Sequence, residues 1–128
     1  MAEALTEPRV TGLIPMAPAA DLQRSANFYK LLGMEVRNSL RNPSGELQWM
    51  HITCGQADLM ITRASEPVIA GQRTVLFYLY SPDLKALREH LMAQGVKVSA
   101  ITYPSYMPKG EICLEDPDGY VLLIGQAD

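Results

Sequence analysis

Leu114-Glu115-Asp116-Pro117-Asp118-Gly119-Tyr120-Val121-Leu122-Leu123-Ile124 is the stretch whose reading decides the fold. Asp-Pro-Asp-Gly is a turn with a mechanism. Proline sets φ at about −65° in the second turn position, and Gly119 accepts the positive φ that closes it. Apolar residues flank the turn on both sides, so it joins two strands into a hairpin. Tyr120 to Ile124 is almost wholly apolar, the pattern of a strand buried on both faces. One face is expected to pack on a helix and the other to line a cavity.

Reading outward, Glu111 to Leu114 supplies the first arm of the hairpin, preceded by the loop Tyr103 to Lys109. Val96 to Ile101 and Thr74 to Tyr80 have strand patterning. Between them Ser81-Pro82-Asp83 opens a helix, with Ser81 as cap and proline at the first helical position. Leu84, Leu87 and Leu91 form its buried stripe and Gly95 ends it. The first half runs in the same order. Val10 to Met16 is a strand that Pro15 confines to an edge. Asp21 caps a helix with Leu22, Ala26, Tyr29 and Leu32 on one face and Gly33 at its end. Strands follow at Glu35 to Leu40, Leu47 to Cys54 and Asp58 to Arg63, with turns at Asn42-Pro43-Ser44-Gly45 and Gly55-Gln56.

The halves are one unit written twice. Asp21-Leu22 and Asp83-Leu84, Gly33 and Gly95, and Val36 and Val98 are all 62 residues apart. Carried forward without a gap, that offset pairs Leu59 with Val121, Ile61 with Leu123 and His51 with Cys113. The fold class is α+β: two tandem βαβββ modules whose strands form an open, curled mixed sheet around a cleft. Residues 1–8 read as a flexible leader and 9–128 as one domain of two repeats, about 9–64 and 71–126.

The chain has 128 residues, 48% of them hydrophobic and 20% charged, in the range of ordinary globular proteins. A net charge of −3 argues against a general nucleic-acid or anionic-membrane binder. No apolar run approaches the ~20 residues of a membrane span. Two cysteines, Cys54 and Cys113, without a secretory apolar region, indicate buried, reduced thiols and a cytoplasmic location.

The helix Asp21-Leu22-Gln23-Arg24-Ser25-Ala26-Asn27-Phe28-Tyr29-Lys30-Leu31-Leu32-Gly33-Met34, together with Asp116-Pro117-Asp118-Gly119-Tyr120, resembles the vicinal oxygen chelate superfamily. That group includes glyoxalase I, extradiol dioxygenases, and fosfomycin and bleomycin resistance proteins. The resemblance spans about Val10 to Gln126. It implies one divalent metal in the cleft, held from the first and last strands of each module. Those positions fall here on Ile14, Ile61, Leu76 and Leu123, all aliphatic, whereas a metal needs N, O or S donors. The resemblance therefore points to the metal-free branch represented by the bleomycin resistance proteins, which sequester a small molecule without chemistry. No catalytic residue, metal or cofactor is expected.

Strand alternation then predicts what lines the cleft. Ile14, Leu76, Leu123, Gly12, Met16, Tyr78, Tyr80, Val121 and Gly125 face inward, and Arg63 shares the face of Ile61. Glu111, Cys113 and Glu115 face the cleft, as do Trp49, His51 and Thr53. Candidate ligand-binding residues are Trp49, His51, Arg63, Tyr78, Tyr80, Tyr103, Tyr106, Glu111 and Glu115. Aromatic walls over an aliphatic floor suit an amphiphilic or aromatic molecule in a pocket of ~300–1,000 Å³. The glutamates favour a cation and Arg63 an anion, and the sequence leaves that choice open. Trp49 suits either core or ligand platform, and Tyr78 and Tyr80 either cleft or dimer contact. The Tyr103 to Met107 loop is a candidate lid. The resemblance also implies a homodimer. The alternative is a lyase, isomerase or dioxygenase-type enzyme with an atypical metal, drawing on His51, Cys113 and the two glutamates, or with His51, Glu111 or Glu115 as general base. His90 reads as a solvated helix residue.

Overall fold

The computed structural model describes residues 12–69 and 75–127. Their order is β1 (Met16–Ala19), α1 (Leu22–Lys30), β2 (Glu35–Arg41), β3 (Leu47–Cys54), β4 (Ala57–Arg63), β5 (Phe77–Ser81), α2 (Leu84–Ala93), β6 (Glu111–Glu115) and β7 (Val121–Gln126). The α+β architecture forms as two open mixed sheets, ordered β1-β4-β3-β2 and β5-β7-β6. In each, the first strand pairs parallel with the last and the remaining pairs are antiparallel. One helix covers one face of each sheet. The leader 1–8 and the 70–74 part of the link between modules lie outside the described residues.

Both helices start where a carboxylate can serve the first turn. Asp21 and Asp83 accept from the backbone N–H of Arg24 and Ala86, each at 3.1 Å. The second cap is therefore Asp83, not Ser81. Ser81 is the last residue of β5, and its Oγ accepts from the Asp83 N–H instead. The core is a single cluster. Leu22 and Tyr29 pack over Met50, Ile52, Leu59 and Ile61, while Leu84 and Leu91 pack over Ile112, Leu114, Leu122 and Ile124. Leu122 is fully buried, as the doubly apolar strand required.

Two expected strands differ. β1 begins only at Met16, although the Pro15 carbonyl still accepts from the Met60 N–H at 2.9 Å; prolines 15 and 18 cannot donate, which suits an edge. Val96 to Ile101 forms no strand. The Ser99 carbonyl, which a ladder would use, accepts from Arg88 Nε at 2.8 Å, and Ser99 Oγ takes its place as acceptor for the Cys113 N–H at 2.8 Å. Val96, Val98 and Ile101 still pack on the core, and one backbone bond, from the Ser99 N–H to the Cys113 carbonyl at 3.0 Å, is all that links the segment's backbone to β6.

The Asp-Pro-Asp-Gly hairpin is also the clasp between the modules. Asp116 accepts from the backbone N–H of Asp118 and Tyr120 at 2.8 and 2.9 Å, and from the Tyr29 hydroxyl of α1 at 2.8 Å. Asp118 accepts from the Ala20 N–H at 2.9 Å, with Arg24 and Ser25 at 3.5 Å, placing a second carboxylate at the α1 N-terminus. The Tyr120 hydroxyl donates to the Pro18 carbonyl at 2.8 Å, and its ring stacks on Phe77. Gly119 closes the turn at φ +88°.

Candidate functional site

The two hairpins differ in length, and that decides what faces the cleft. In β3–β4 the strands join through a two-residue turn after Cys54↔Ala57, and Met50 pairs with Ile61. In β6–β7 five residues separate Glu115 from Val121, and Ile112 pairs with Ile124. Met50 and Ile112 are 62 apart, but Ile61 and Ile124 are 63 apart. The second hairpin thus carries one extra residue, and a one-residue slip exchanges the faces of a strand. Ile61, 2% exposed, belongs to the helix-covered core rather than the cleft. The cleft-side counterpart of Leu123 is Met60. Arg63, on the face of Ile61, leaves the cleft as well. It pairs with Glu46 at 3.4 Å beside the α1 N-terminus.

With that correction the open face of the first sheet carries Trp49 opposite Thr62 and His51 opposite Met60. His51 Nε2 lies 2.8 Å from Asp58 Oδ1, diagonally across the pair. The open face of the second sheet carries Tyr78 beside Leu123, Tyr80 beside Gly125, and Glu111 on the other side of Gly125. The structure joins Tyr78, Tyr106 and Glu111. The tyrosine hydroxyls donate to the two carboxylate oxygens at 2.5 and 2.9 Å. Burial and the Glu111 hydrogen bond raise the pKa of Tyr78, and the same hydrogen bond, then desolvation, raises that of Tyr106. Tyr80 stands 5.3 Å from Tyr78 between ring centroids.

Other candidates fall outside this cluster. Tyr103 is exposed on the loop next to Gly110, and Glu115 is exposed further along β6. Cys54 and Cys113 are free and exposed, contrary to the expected burial. Cys54 ends β3 at the hairpin, and Cys113 points to the uncovered face of β6. Partial desolvation of its thiol by neighbouring side chains, then Glu115 and Glu111, raise the Cys113 pKa. One contributor outside the expected set is Asp58, which the two-residue turn brings to His51 by fixing the register. Met107, the last residue of the candidate lid, lies over Gly125, where an added Cβ would be 2.7 Å from its methyl group.

A groove of about 660 Å³ runs between the modules, with Met34, Cys54 and Asp58 on one side and Leu76, Tyr78 and Tyr80 on the other; Tyr78 is the one member of the Glu111 cluster that lines it, and Trp49 and His51 do not. The metal positions are now Ile14, Met60, Leu76 and Leu123. Three hydrocarbons and a thioether do not fit the hard or borderline divalent ions of such sites. Among the described residues no group of three or more His, Cys, Asp or Glu side chains is placed to hold a metal.

Residues 14–124 match the sequence profile of the Glyoxalase/Bleomycin resistance protein/Dioxygenase superfamily. The chain belongs to this superfamily. No curated protein matches it significantly. Solved structures of similar fold include a bleomycin-binding protein complexed with bleomycin. It has a TM-score of 0.66 and 20% identity, over 93% of this chain and 100% of that one. A bleomycin resistance determinant encoded on the transposon Tn5 gives 0.71 and 20%, over 93% and 99%. A lactoylglutathione lyase from Agrobacterium tumefaciens gives 0.64 and 18%, over 94% and 96%. Binding proteins and a lyase thus share the superfamily fold, and the side chains must carry any functional distinction. No helix among the described residues is long and apolar enough to cross a membrane.

Proposed function

We propose that this chain binds a small amphiphilic or aromatic molecule in the groove between its modules without a metal, sequestering it as a cytoplasmic, antibiotic-resistance-type homodimer. The observation that carries this reading is the side-chain set at the superfamily's metal positions: Ile14, Met60, Leu76 and Leu123 provide no donor for such an ion. The groove has the size of a small-molecule site, with aromatic walls and few polar groups. Bleomycin binding by two proteins of the same fold supports an amphiphilic ligand. Dimerisation is supported by the apolar side chains left open along the first strands, notably Met16, Leu76 and Tyr80. Trp49 is the only tryptophan, so its emission reports on the open face of the first sheet.

The test is direct. Protein dialysed against a chelator is assayed for metal by mass spectrometry, sized by light scattering, and titrated with bleomycin and simpler aromatic amphiphiles while Trp49 emission is followed. Binding by metal-free dimer is expected. A stoichiometric metal that survives dialysis, or binding that needs added metal, would sink the proposal. A second reading rests on the His51–Asp58 pair at 2.8 Å, which sets an acid–base couple beside the same groove. Turnover of a bound compound that disappears in His51→Gln while binding persists would favour it.

A further inference from the structure

We infer that Glu111, flanked by Tyr78 and Tyr106, is the recognition point for an organic cation, an ammonium or guanidinium group on an apolar body; this rests on the binding function proposed above. Glu111 is 7% exposed. Its carboxylate has no cationic partner among the described residues: Arg24, His51 and Arg63 go to Asp118, Asp58 and Glu46. Lys109 shares the adjoining groove of about 590 Å³ with Tyr80, Tyr106 and Met107, and is itself partnered. What holds the Glu111 side chain is two phenolic hydroxyls.

A buried carboxylate needs hydrogen bonds and, beyond them, opposite charge. Phenols provide the first and not the second. Tyr78 and Tyr106 meet Glu111 through their hydroxyl edges, so the carboxylate alone supplies the negative charge of the cluster. An anion is repelled, and a neutral hydroxyl gains only the kind of hydrogen bond that the two phenols already make. An ammonium or guanidinium donates charge-assisted hydrogen bonds to Glu111 and adds the opposite charge that the phenols lack.

Tyr106 is the occupant such a group displaces. Its side chain is 65% exposed and its hydroxyl is spent on Glu111. The loop that carries it is pinned at both ends by Thr102 and Glu111, whose backbone groups exchange hydrogen bonds at 3.0 and 2.9 Å. Tyr106 can therefore turn away without unpairing β6. The two substitutions then act in opposite directions. Losing the Glu111 charge weakens cation binding, whereas losing the Tyr106 hydroxyl strengthens it.

The test uses three probes of matched shape, 2-phenylethylammonium, 2-phenylethanol and 3-phenylpropanoate, titrated against the dimeric protein by amide chemical shifts. The ammonium is expected to bind about tenfold more tightly than the alcohol, and the carboxylate most weakly. Glu111→Gln should bring the ammonium to about the affinity of the alcohol. Tyr106→Phe should raise ammonium affinity about threefold and that of the alcohol by less. Should Glu111→Gln fail to fold by circular dichroism, Tyr106→Phe, with its exposed ring retained, decides alone. Equal binding of alcohol and ammonium by the wild type, or weaker ammonium binding in Tyr106→Phe, overturns the cation assignment and leaves the binding function standing. No shift with any probe overturns both.

Discussion

Replacing Asp116 by alanine should be among the most damaging single changes in this chain, although it touches no candidate ligand residue. The carboxylate accepts from three donors: two backbone N–H groups of its own turn and the Tyr29 hydroxyl of α1. Tyr29 is 2% exposed, so that hydroxyl has no access to water when its acceptor is gone. Each orphaned donor costs about 1–3 kcal/mol. Relief from burying a charge offsets part of the sum, which leaves a net loss of about 3–4 kcal/mol. Tyr29→Phe removes only one of the three bonds and should cost about 1–1.5 kcal/mol. The double variant should then show coupling of about 1–2 kcal/mol, since both changes break one contact. Urea unfolding followed by Trp49 emission and by far-ultraviolet circular dichroism measures all three. A loss below about 1 kcal/mol for Asp116→Ala, or additive single changes, would refute the clasp. A pH series adds a sign. Burial raises the Asp116 pKa above the ordinary carboxylate range, so the native state holds that proton more tightly than the unfolded chain does. Relative to Asp116→Asn, the wild type should lose stability as pH rises from that range through the raised value, then stay level.

Gly125→Ala should push Met107 off β7, since the new methyl would meet its side chain at 2.7 Å and the Tyr78 hydroxyl at 3.0 Å. The expected loss is about 1–2 kcal/mol, with faster proteolysis within the 103–109 loop as the check. Leu122→Ala opens a cavity at a fully buried site and should cost about 2–5 kcal/mol by denaturant titration. Both free cysteines should react with iodoacetamide in the folded protein. The pH at which Cys113 alkylation is half maximal should lie above the usual thiol range, because partial desolvation and two nearby glutamates hold its thiol protonated.

Much of this was legible because the punctuation is local. Asp21 and Gly33, and Asp83 and Gly95, bracket the helices by their own backbone chemistry. Alternation placed Met50, Ile52, Ile112 and Leu114 on the covered faces. The errors arose where one residue's partner lies outside its own segment. An ungapped repeat could not reveal that the second hairpin is longer by one, so Ile61 and Arg63 went to the wrong face. Val96 to Ile101 has a strand's composition, but Arg88, on another element, captures the carbonyl that pairing needs. Alternation puts Tyr78 and Glu111 on one face but says nothing of Tyr106. Only the fold of the loop showed that one carboxylate holds both rings.

The clasp also bears on how the chain is made. The acceptor that holds the Ala20 N–H at the start of α1 is Asp118, 98 residues later. Translation delivers the first helix long before the residue that completes its cap. The second helix has its own far anchor, Gln126, which accepts from the Leu84 N–H and donates to the Pro82 carbonyl. Both helix starts are thus anchored by the same C-terminal segment, so a change that frees residues 116–126 loosens the two modules at once.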